Sequence, residues 1–586
     1  MAQLQIPRRQ KATSSWLFSL QRWACCLLGS VLLGCHPPDP RPDEIVPPPR
    51  SAETYFQDVS QQLGLNFIHQ TGHFSEYEMP QIMSGGGALG DFDRDGFADV
   101  LLVDLVPGTT EFYYRNLGRN PLQHASAQAK LNRGEQGMGA IVGDVNNDGF
   151  PDLYVTCYGP DHLFMNHGDG TFADVTLQSH LNAPGWGTAG AFHDLDHDGW
   201  LELVVVNYLQ YRPRELCEDS AGVPDFCGPQ AFTGTVDLLF KNQGQFTPEG
   251  GFLFDDRTVT SGLAQKAGKG LGLICQDLTE DGLPDLYVAN DMESNHLWVQ
   301  QTDGTFREEA VLRGVALNWM GEPEASMGIA VADFSGNGTP ALFMTHLRGQ
   351  KNTLYVQDEP GVYSDKTVDH GLARPSISYT GFGIAAEDFN HDGEIDIAIA
   401  NGKVKRAAGG GVSSAEGILN DYIEQNQLFL NSGNGRFSEV RSNADPFLTQ
   451  SEISRGLATA DLDLDGDIDL LLTNCAGPAR VFVNESHKVG HWLRIRLIDP
   501  VGNRDGIGAK LTLNTKSGEF VRFLSPSNGY LTTSDFQIHF GIPVDEFDSL
   551  NVNWSDGTKE TFPGGRCDRG LILIRGQTKV LAHAGH

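Results

Sequence analysis

The sequence predicts an all-β protein: a seven-bladed β-propeller followed by a small C-terminal β-sandwich-like domain. Three observations carry that expectation. A nine-residue acidic turn recurs seven times, starting at Asp91, Asp144, Asp194, Asp277, Asp333, Asp388 and Asp461. Each copy runs into a short apolar, β-branched stretch such as DVLLV, DLYVT, ELVVV, DLYVA or DIAIA, which reads as a buried strand. Strand–turn–strand patterns follow downstream, as in LFMNHGDGTFADVT, LWVQQTDGTFREEA and LFLNSGNGRFSEV. Four strands per repeat make the blade of a propeller.

The first turn, DFDRDGFAD, sets the chemistry. It places carboxylates at its first, third, fifth and ninth positions (Asp91, Asp93, Asp95, Asp99) and Gly96 at the sixth. Alternating oxygen ligands around a sharp glycine bend suit a hard cation such as Ca²⁺. The second turn offers Asp144, Asn146, Asp148 and Asp152, and the third Asp194, Asp196, Asp198 and Glu202. The fourth has Asp277, Thr279, Asp281 and Asp285. The sixth has Asp388, Asn390, Asp392 and Asp396, and the seventh Asp461, Asp463, Asp465 and Asp469. The fifth, DFSGNGTPA, keeps Asp333 but has Ser335, Asn337 and Ala341 at the other ligand positions, so weak binding or none is expected there. About six structural Ca²⁺ ions are therefore expected, each also taking the backbone carbonyl of the seventh turn residue. The competing reading is a set of acidic turns without metal, but clustered carboxylates repel one another unless a cation neutralises them.

An EF-hand is excluded. It needs flanking helices and a carboxylate at position twelve, where this chain has Leu102, Val155, Val205 and Val288. Five residues before the first aspartate stands a glycine in six of the seven repeats (Gly86, Gly139, Gly272, Gly328, Gly383, Gly456), with Ala189 the exception. Glycine there fits a strand packed closely at a crowded centre. The stretch Tyr55–Val59 reads like the last strand of a blade and is expected to complete the seventh one and close the ring.

The chain has 586 residues and a formal charge of −33, from 42 basic and 75 acidic side chains. That balance argues against nucleic-acid binding through a general electrostatic field. With 69 glycines and 40% hydrophobic residues it reads as a folded, turn-rich β protein and not as a disordered acidic chain. Residues 1–35 read as a lipoprotein-type leader: Arg8, Arg9 and Lys11, then the short apolar run WACCLLGSVLLG ending at Cys35. The stretch Leu32–Cys35 resembles a bacterial lipobox, which implies lipidation of Cys35 and a membrane-anchored, exported protein in the periplasm or at the cell surface. An ordinary cleaved leader is the alternative. Residues 36–50 form a Pro-rich tether, 51–486 the propeller and 487–582 the C-terminal domain.

The glycine–strand–DxDxDGxxD–strand unit resembles the FG-GAP/VCBS repeat of integrin α-like propellers. In the C-terminal part, Asn503-Arg504-Asp505-Gly506-Ile507-Gly508-Ala509, His539-Phe540-Gly541 and Trp554-Ser555-Asp556-Gly557 resemble the ASPIC/UnbV domain. Together the two resemble the cartilage acidic protein family and its bacterial relatives. The resemblance implies a secreted or surface calcium-binding propeller and little about chemistry.

Thirteen residues after each first aspartate stands Asp104, Cys157, Asn207, Asn290, His346, Asn401 or Asn474. These residues either end strands and shape turns, or form a ring of hydrogen-bonding groups around the mouth opposite the calcium, a candidate ligand face at Asn207, Asn290, His346, Asn401 and Asn474. Long insertions fall on the same face: residues 209–235, where Cys217 and Cys227 are expected to form a disulfide, and residues 403–427, whose Lys403, Lys405 and Arg406 read as a solvated basic spot, with an anionic ligand as the alternative. Sequence motifs for metallopeptidase, serine-hydrolase, P-loop and dinucleotide chemistry are absent. His539 and Trp554 read as packing residues, with a site role as the alternative. The expected function is a calcium-binding, cell-surface adhesion or binding module for protein or glycan. The alternatives are an enzyme of lyase or oxidoreductase type at the propeller axis or domain junction, and a structural spacer.

Overall fold

The computed structural model describes residues 53–107, 112–118, 120–132, 134–181, 183–406, 418–577 and 580–582, all within one compact unit, Pro49–His586. The leader, Cys35, the tether and residues 407–417 of the second insertion lie outside them. Among the described residues no helix is long and apolar enough to cross a membrane.

Seven four-stranded antiparallel meanders follow one another along the chain. Their innermost strands are Gly87–Gly90, Gln136–Gly143, Gly187–His193, Gly270–Gln276, Ile329–Ala332, Gly381–Glu387 and Ser454–Ala460. Each inner strand packs on the next and the last packs on the first, so the sheets close a propeller ring. The seventh sheet takes its outer strand from the start of the described chain: Phe56–Asp58 pairs antiparallel with Arg480–Asn484, Phe56 opposite Asn484.

The second strand of each sheet lies between two neighbouring blades. Asp285–Asn290 and Asp469–Asn474 are buried at every position, which is why they read as unbroken apolar runs. Outer strands alternate instead: Phe306 is buried and Arg307 exposed. Where adjacent inner strands touch, there can be no room for a side chain. A Cβ on Gly328 would lie 1.9 Å from the Phe382 carbonyl oxygen, so only glycine lets this inner strand lie against the next blade's backbone.

The C-terminal domain is a sandwich of two four-stranded sheets. One contains His491–Ile498 between Ile538–Ile542 and Arg569–Ile574; the other contains Lys510–Thr515 and Glu546–Asn553. Leu493, Ile495, Leu497, Leu511, Phe540, Val552 and Trp554 fill the space between them. Strand alternation turns the intervening Arg494 and Arg496 to the other face.

Candidate functional site

The seven acidic turns share one backbone. Their sixth-position glycines are left-handed, from φ 81° at Gly338 to 100° at Gly149, and so are the fourth residues, from Asn147 at 57° to Gly336 at 65°. Side chains of the turn hold this shape. The first aspartate accepts the N–H of the sixth residue, Gly96 to Asp91 at 3.1 Å and Gly393 to Asp388 at 2.7 Å. The fifth accepts the N–H of the seventh, Phe150 to Asp148 at 2.9 Å and Asp467 to Asp465 at 2.9 Å. The ninth ties the turn to the third strand: Asp152 accepts from Val145 and Asn166, Asp396 from Phe389 and Asn431, Asp469 from Leu462 and Asn484. Three of the four ligand positions thus also build the turn. Turn five shows the consequence. Asp333 and Asn337 make the same bonds, at 3.0, 2.8 and 3.1 Å, and the shape survives although the other oxygens are gone.

The turns differ in what the second oxygen of the first aspartate does. In turns two, four, five and six it accepts the fifth residue's N–H, at 3.0–3.1 Å. In turns one, three and seven, Oδ1 of Asp91, Asp194 and Asp461 has no hydrogen-bond partner, although these residues are only 5%, 2% and 4% exposed. In the same three turns acidic groups converge: Asp91, Asp93 and Asp95; Asp194, Asp196 and Glu202; Asp461, Asp463 and Asp465, each set with ligand atoms within 4.8 Å of one another. These clusters could hold a metal ion, and an all-oxygen donor set with an orphaned buried carboxylate oxygen fits a hard one. Burial pushes Asp91 up to about 6 and Asp194 and Asp461 up to about 7, a cost that a cation offsets. Basic side chains already lean in: Arg115 on Asp93, Lys241 on Asp196 and Asp198, and Arg494 on Asp461.

The C-terminal domain sits on this acidic face. Arg494 reaches Asp461 at 2.5 Å, Arg496 stands 4.0 Å from Asp91 and Arg522 4.0 Å from Asp388. Asp505 takes both carboxylate oxygens to Arg94 at 2.8 Å. Asn503 gives its N–H to the Gly199 carbonyl at 2.6 Å, and Arg504 to Asn147 Oδ1 at 3.2 Å. At Gly541 a Cβ would meet Asp388 Oδ2 at 2.0 Å. Some of the residues that carry the ASPIC/UnbV resemblance, Asn503, Arg504, Asp505, His539 and Gly541, are therefore docking contacts, while Ala509, Phe540 and Trp554 belong to the sandwich core. His539 is buried with Nε2 3.1 Å from the Gly466 carbonyl, and Trp554 lies in the sandwich core.

From this domain a loop enters the ring. Gly529 exchanges two backbone hydrogen bonds with Ile329, the Leu531 carbonyl accepts from Gly87 and Ala140, and Thr532–Thr533 pairs in parallel with Gly87–Ala88. Tyr530, 1% exposed, reaches across to the Met83 carbonyl at 2.7 Å. The loop therefore occupies the ring at this level of the axis.

The other mouth is closed from within. The helix Met79–Met83 packs with Phe74, Phe226, Tyr422 and Tyr530 in one cluster. The two insertions meet at Asp225, which accepts from the Arg406 N–H at 3.2 Å and the Tyr422 hydroxyl at 2.6 Å. Cys217 and Cys227 are bonded, S–S 2.09 Å. Arg406, expected to be solvated, is instead buried beside Asp421 and over the Tyr77 ring, because the insertions enclose it. Asn207, Asn290, His346, Asn401 and Asn474 are buried, and the four amides donate to the carbonyls of Val236, Ser294, Gln425 and Pro478, shaping turns. What faces solvent here is a cleft of about 530 Å³ walled by Tyr158, Tyr211, Glu78, Arg214 and Leu216, none of which the repeat pattern marks.

Residues 91–155, 144–205 and 277–344 match the FG-GAP-like repeat, and residues 500–580 match the ASPIC and UnbV family. The chain carries FG-GAP-like repeats and an ASPIC/UnbV domain. It is similar to cartilage acidic protein 1 of Mus musculus, 25% identical over 478 residues, covering 72% of this chain and 70% of that protein. The Homo sapiens protein of the same name is 26% identical over 460 residues, covering 63% and 68%. Among solved structures, the β-propeller domain of Cps50 (Swd1) from Myceliophteria thermophila aligns with a TM-score of 0.37 at 9% identity, covering 71% of this chain and 98% of that one.

Proposed function

We propose that this protein is a calcium-stabilised binding module of the bacterial envelope, held by a lipid on Cys35, that offers its insertion face to protein or glycan partners. The asymmetry of the ring carries the reading. One mouth is taken up by the chain's own C-terminal domain. The other bears two insertions that the ring does not need, joined to each other at Asp225, the first stapled within itself by the Cys217–Cys227 disulfide, beside a cleft with half-buried tyrosines. Half-buried aromatic rings next to polar groups are common anchors for protein and sugar surfaces. The acidic clusters under the C-terminal domain favour structural ions: a catalytic metal keeps an open position with a base nearby.

The test has two arms. Melting in Ca²⁺ and in EGTA should differ by about 2.7 kcal/mol per site when free Ca²⁺ is a hundred times its Kd; an unchanged transition overturns structural calcium. Glycan and envelope-protein arrays probed with the wild type and Tyr211→Ala should show ligands that the variant loses. Capture unaffected by Tyr211→Ala removes the insertion face from the reading, and arrays without any ligand favour a spacer.

A further inference from the structure

The six acidic turns that keep their ligands fall into two groups by charge. Turns two, four and six have a neutral third residue, Asn146, Thr279 or Asn390, and so present three carboxylates at the ligand positions. Turns one, three and seven have an aspartate there, Asp93, Asp196 or Asp463, and present four. The extra carboxylate goes with a basic side chain. The second and third strands of each blade pair just beyond the turn, Val100 with Tyr114, Leu153 with Phe164 and Leu203 with Phe240, so the next third-strand residue stands beside the ninth turn position. In turns one and three that residue is Arg115 or Lys241; in turns two, four and six it is Met165, Val299 or Leu430. Turn seven has Val483 there and takes Arg494 from the C-terminal domain instead, 2.5 Å from Asp461. Arg496 and Arg522 stand farther off, 4.0 Å from Asp91 and Asp388. Four carboxylates less one close cation leave −3, the charge of the three-carboxylate turns.

Lys241 differs from the other two cations in how it sits. Arg115 pairs with Asp93 and Arg494 with Asp461. The Lys241 ammonium bonds Asp196 and Asp198, the latter at 2.8 Å, and stands 3.7 Å from Glu202, so it touches or approaches three of the four ligand residues of turn three. Asp194, 2% exposed, still has Oδ1 without a hydrogen-bond partner, so the lysine neutralises the turn without completing its donor set. We infer that Lys241 is the resident cation of turn three and that Ca²⁺ enters this turn only by displacing it. This rests on the structural role proposed for Ca²⁺ in the turns. The Lys241 side chain is 25% exposed and its stem is flexible, so the ammonium can swing out to water and leave four carboxylates to the metal. The exchange breaks the ion pairs of the ammonium, so turn three takes Ca²⁺ less tightly than the same turn without the lysine, and it stays neutralised when Ca²⁺ is scarce.

Turn three carries its own reporter. Trp200 is its seventh residue and gives its backbone N–H to Asp198 at 3.0 Å. Tb³⁺, a luminescent stand-in for Ca²⁺, emits when a neighbouring tryptophan is excited. Titrating Tb³⁺ into the full chain and subtracting the Trp200→Phe background isolates turn three. The ring of Trp492 lies against Gly466, so turn seven reports separately. Lys241→Met, which installs the residue type that blade two has at this place, should move the turn-three midpoint to about tenfold lower Tb³⁺, while Lys241→Arg stays near the wild type. An unchanged turn-seven midpoint in Lys241→Met shows that the variant folds. A Trp200-dependent signal seen only in Lys241→Met supports the inference as well. A turn-three midpoint that Lys241→Met leaves in place or raises overturns it, as does the absence of any Trp200-dependent signal in both proteins. Emission from turn seven alongside either result sinks this inference alone; emission from neither turn removes the calcium reading with it.

Discussion

The two mouths of the ring are closed by different physics. On the acidic face a separately folded domain does it, with Arg494, Arg496 and Arg522 set against first-position aspartates and Tyr530 driven into the axis. On the opposite face the chain folds over itself, through aromatic contacts around Phe226 and Tyr422, one disulfide and the hydrogen bonds of Asp225. The difference teaches that the acidic turns have two audiences. The same carboxylates that could hold a cation also receive the arginines of the neighbouring domain, so charge neutralisation and domain docking are parts of one balance.

The sharpest way to break this comparison is at the axis. Tyr530→Ala empties a fully buried aromatic position and should destabilise the protein by about 4 kcal/mol in urea denaturation, whereas Leu216→Ala, 84% exposed on the other face, should stay within about 0.5 kcal/mol. Similar effects at the two positions would mean that the loop fills the axis without stabilising it. Next comes Arg494→Ala, which strands Asp461 in a buried position. A loss of about 3 kcal/mol is expected in chelator, shrinking when Ca²⁺ is added. A calcium-independent loss would separate docking from metal binding.

The third probe is pH on the insertion side. Burial holds His346 at about 4, below the 6.5 of an exposed histidine. The unfolded chain therefore takes up a proton that the native state refuses. Stability from this group is complete above pH 6.5 and falls by up to about 3 kcal/mol as pH drops to 4. His346→Gln should flatten that part of the profile, and an unaltered slope would assign it elsewhere.

Much of the architecture was legible because it is local. The seven turns, the strands that follow them and the central glycines all announce themselves within a dozen residues, and the Tyr55–Val59 stretch resembles its counterparts closely enough to place the closing strand. What escaped is long-range. Nothing near Arg494 and Arg496 says that the acidic turns at Asp461 and Asp91 will receive them, although their alternation with Leu493, Ile495 and Leu497 marks them as turned out of the sandwich. Tyr530 and Leu531 sit in the polar stretch SNGYLTTS, where nothing local marks them for the ring axis. The strand-end asparagines are legible as polar but not as buried, because each is enclosed by the turn whose carbonyl it bonds, at Val236, Ser294, Gln425 or Pro478. In the turns the first, fifth and ninth residues hold the backbone as well as offering ligand oxygens, and the spacing alone shows only the second role.

The loop at Tyr530 has a consequence in time. The ring needs its earliest strand, Phe56–Asp58, and one of its latest, Arg480–Asn484, before it can close, and such distant pairings form slowly. The stopper is made later still, because synthesis runs from the N-terminus. Assembly therefore has a built-in order of ring first, then the domain that carries the stopper. A chain interrupted before residue 527 would close around an open channel, with Met83 and Phe382 left facing water where Tyr530 should lie.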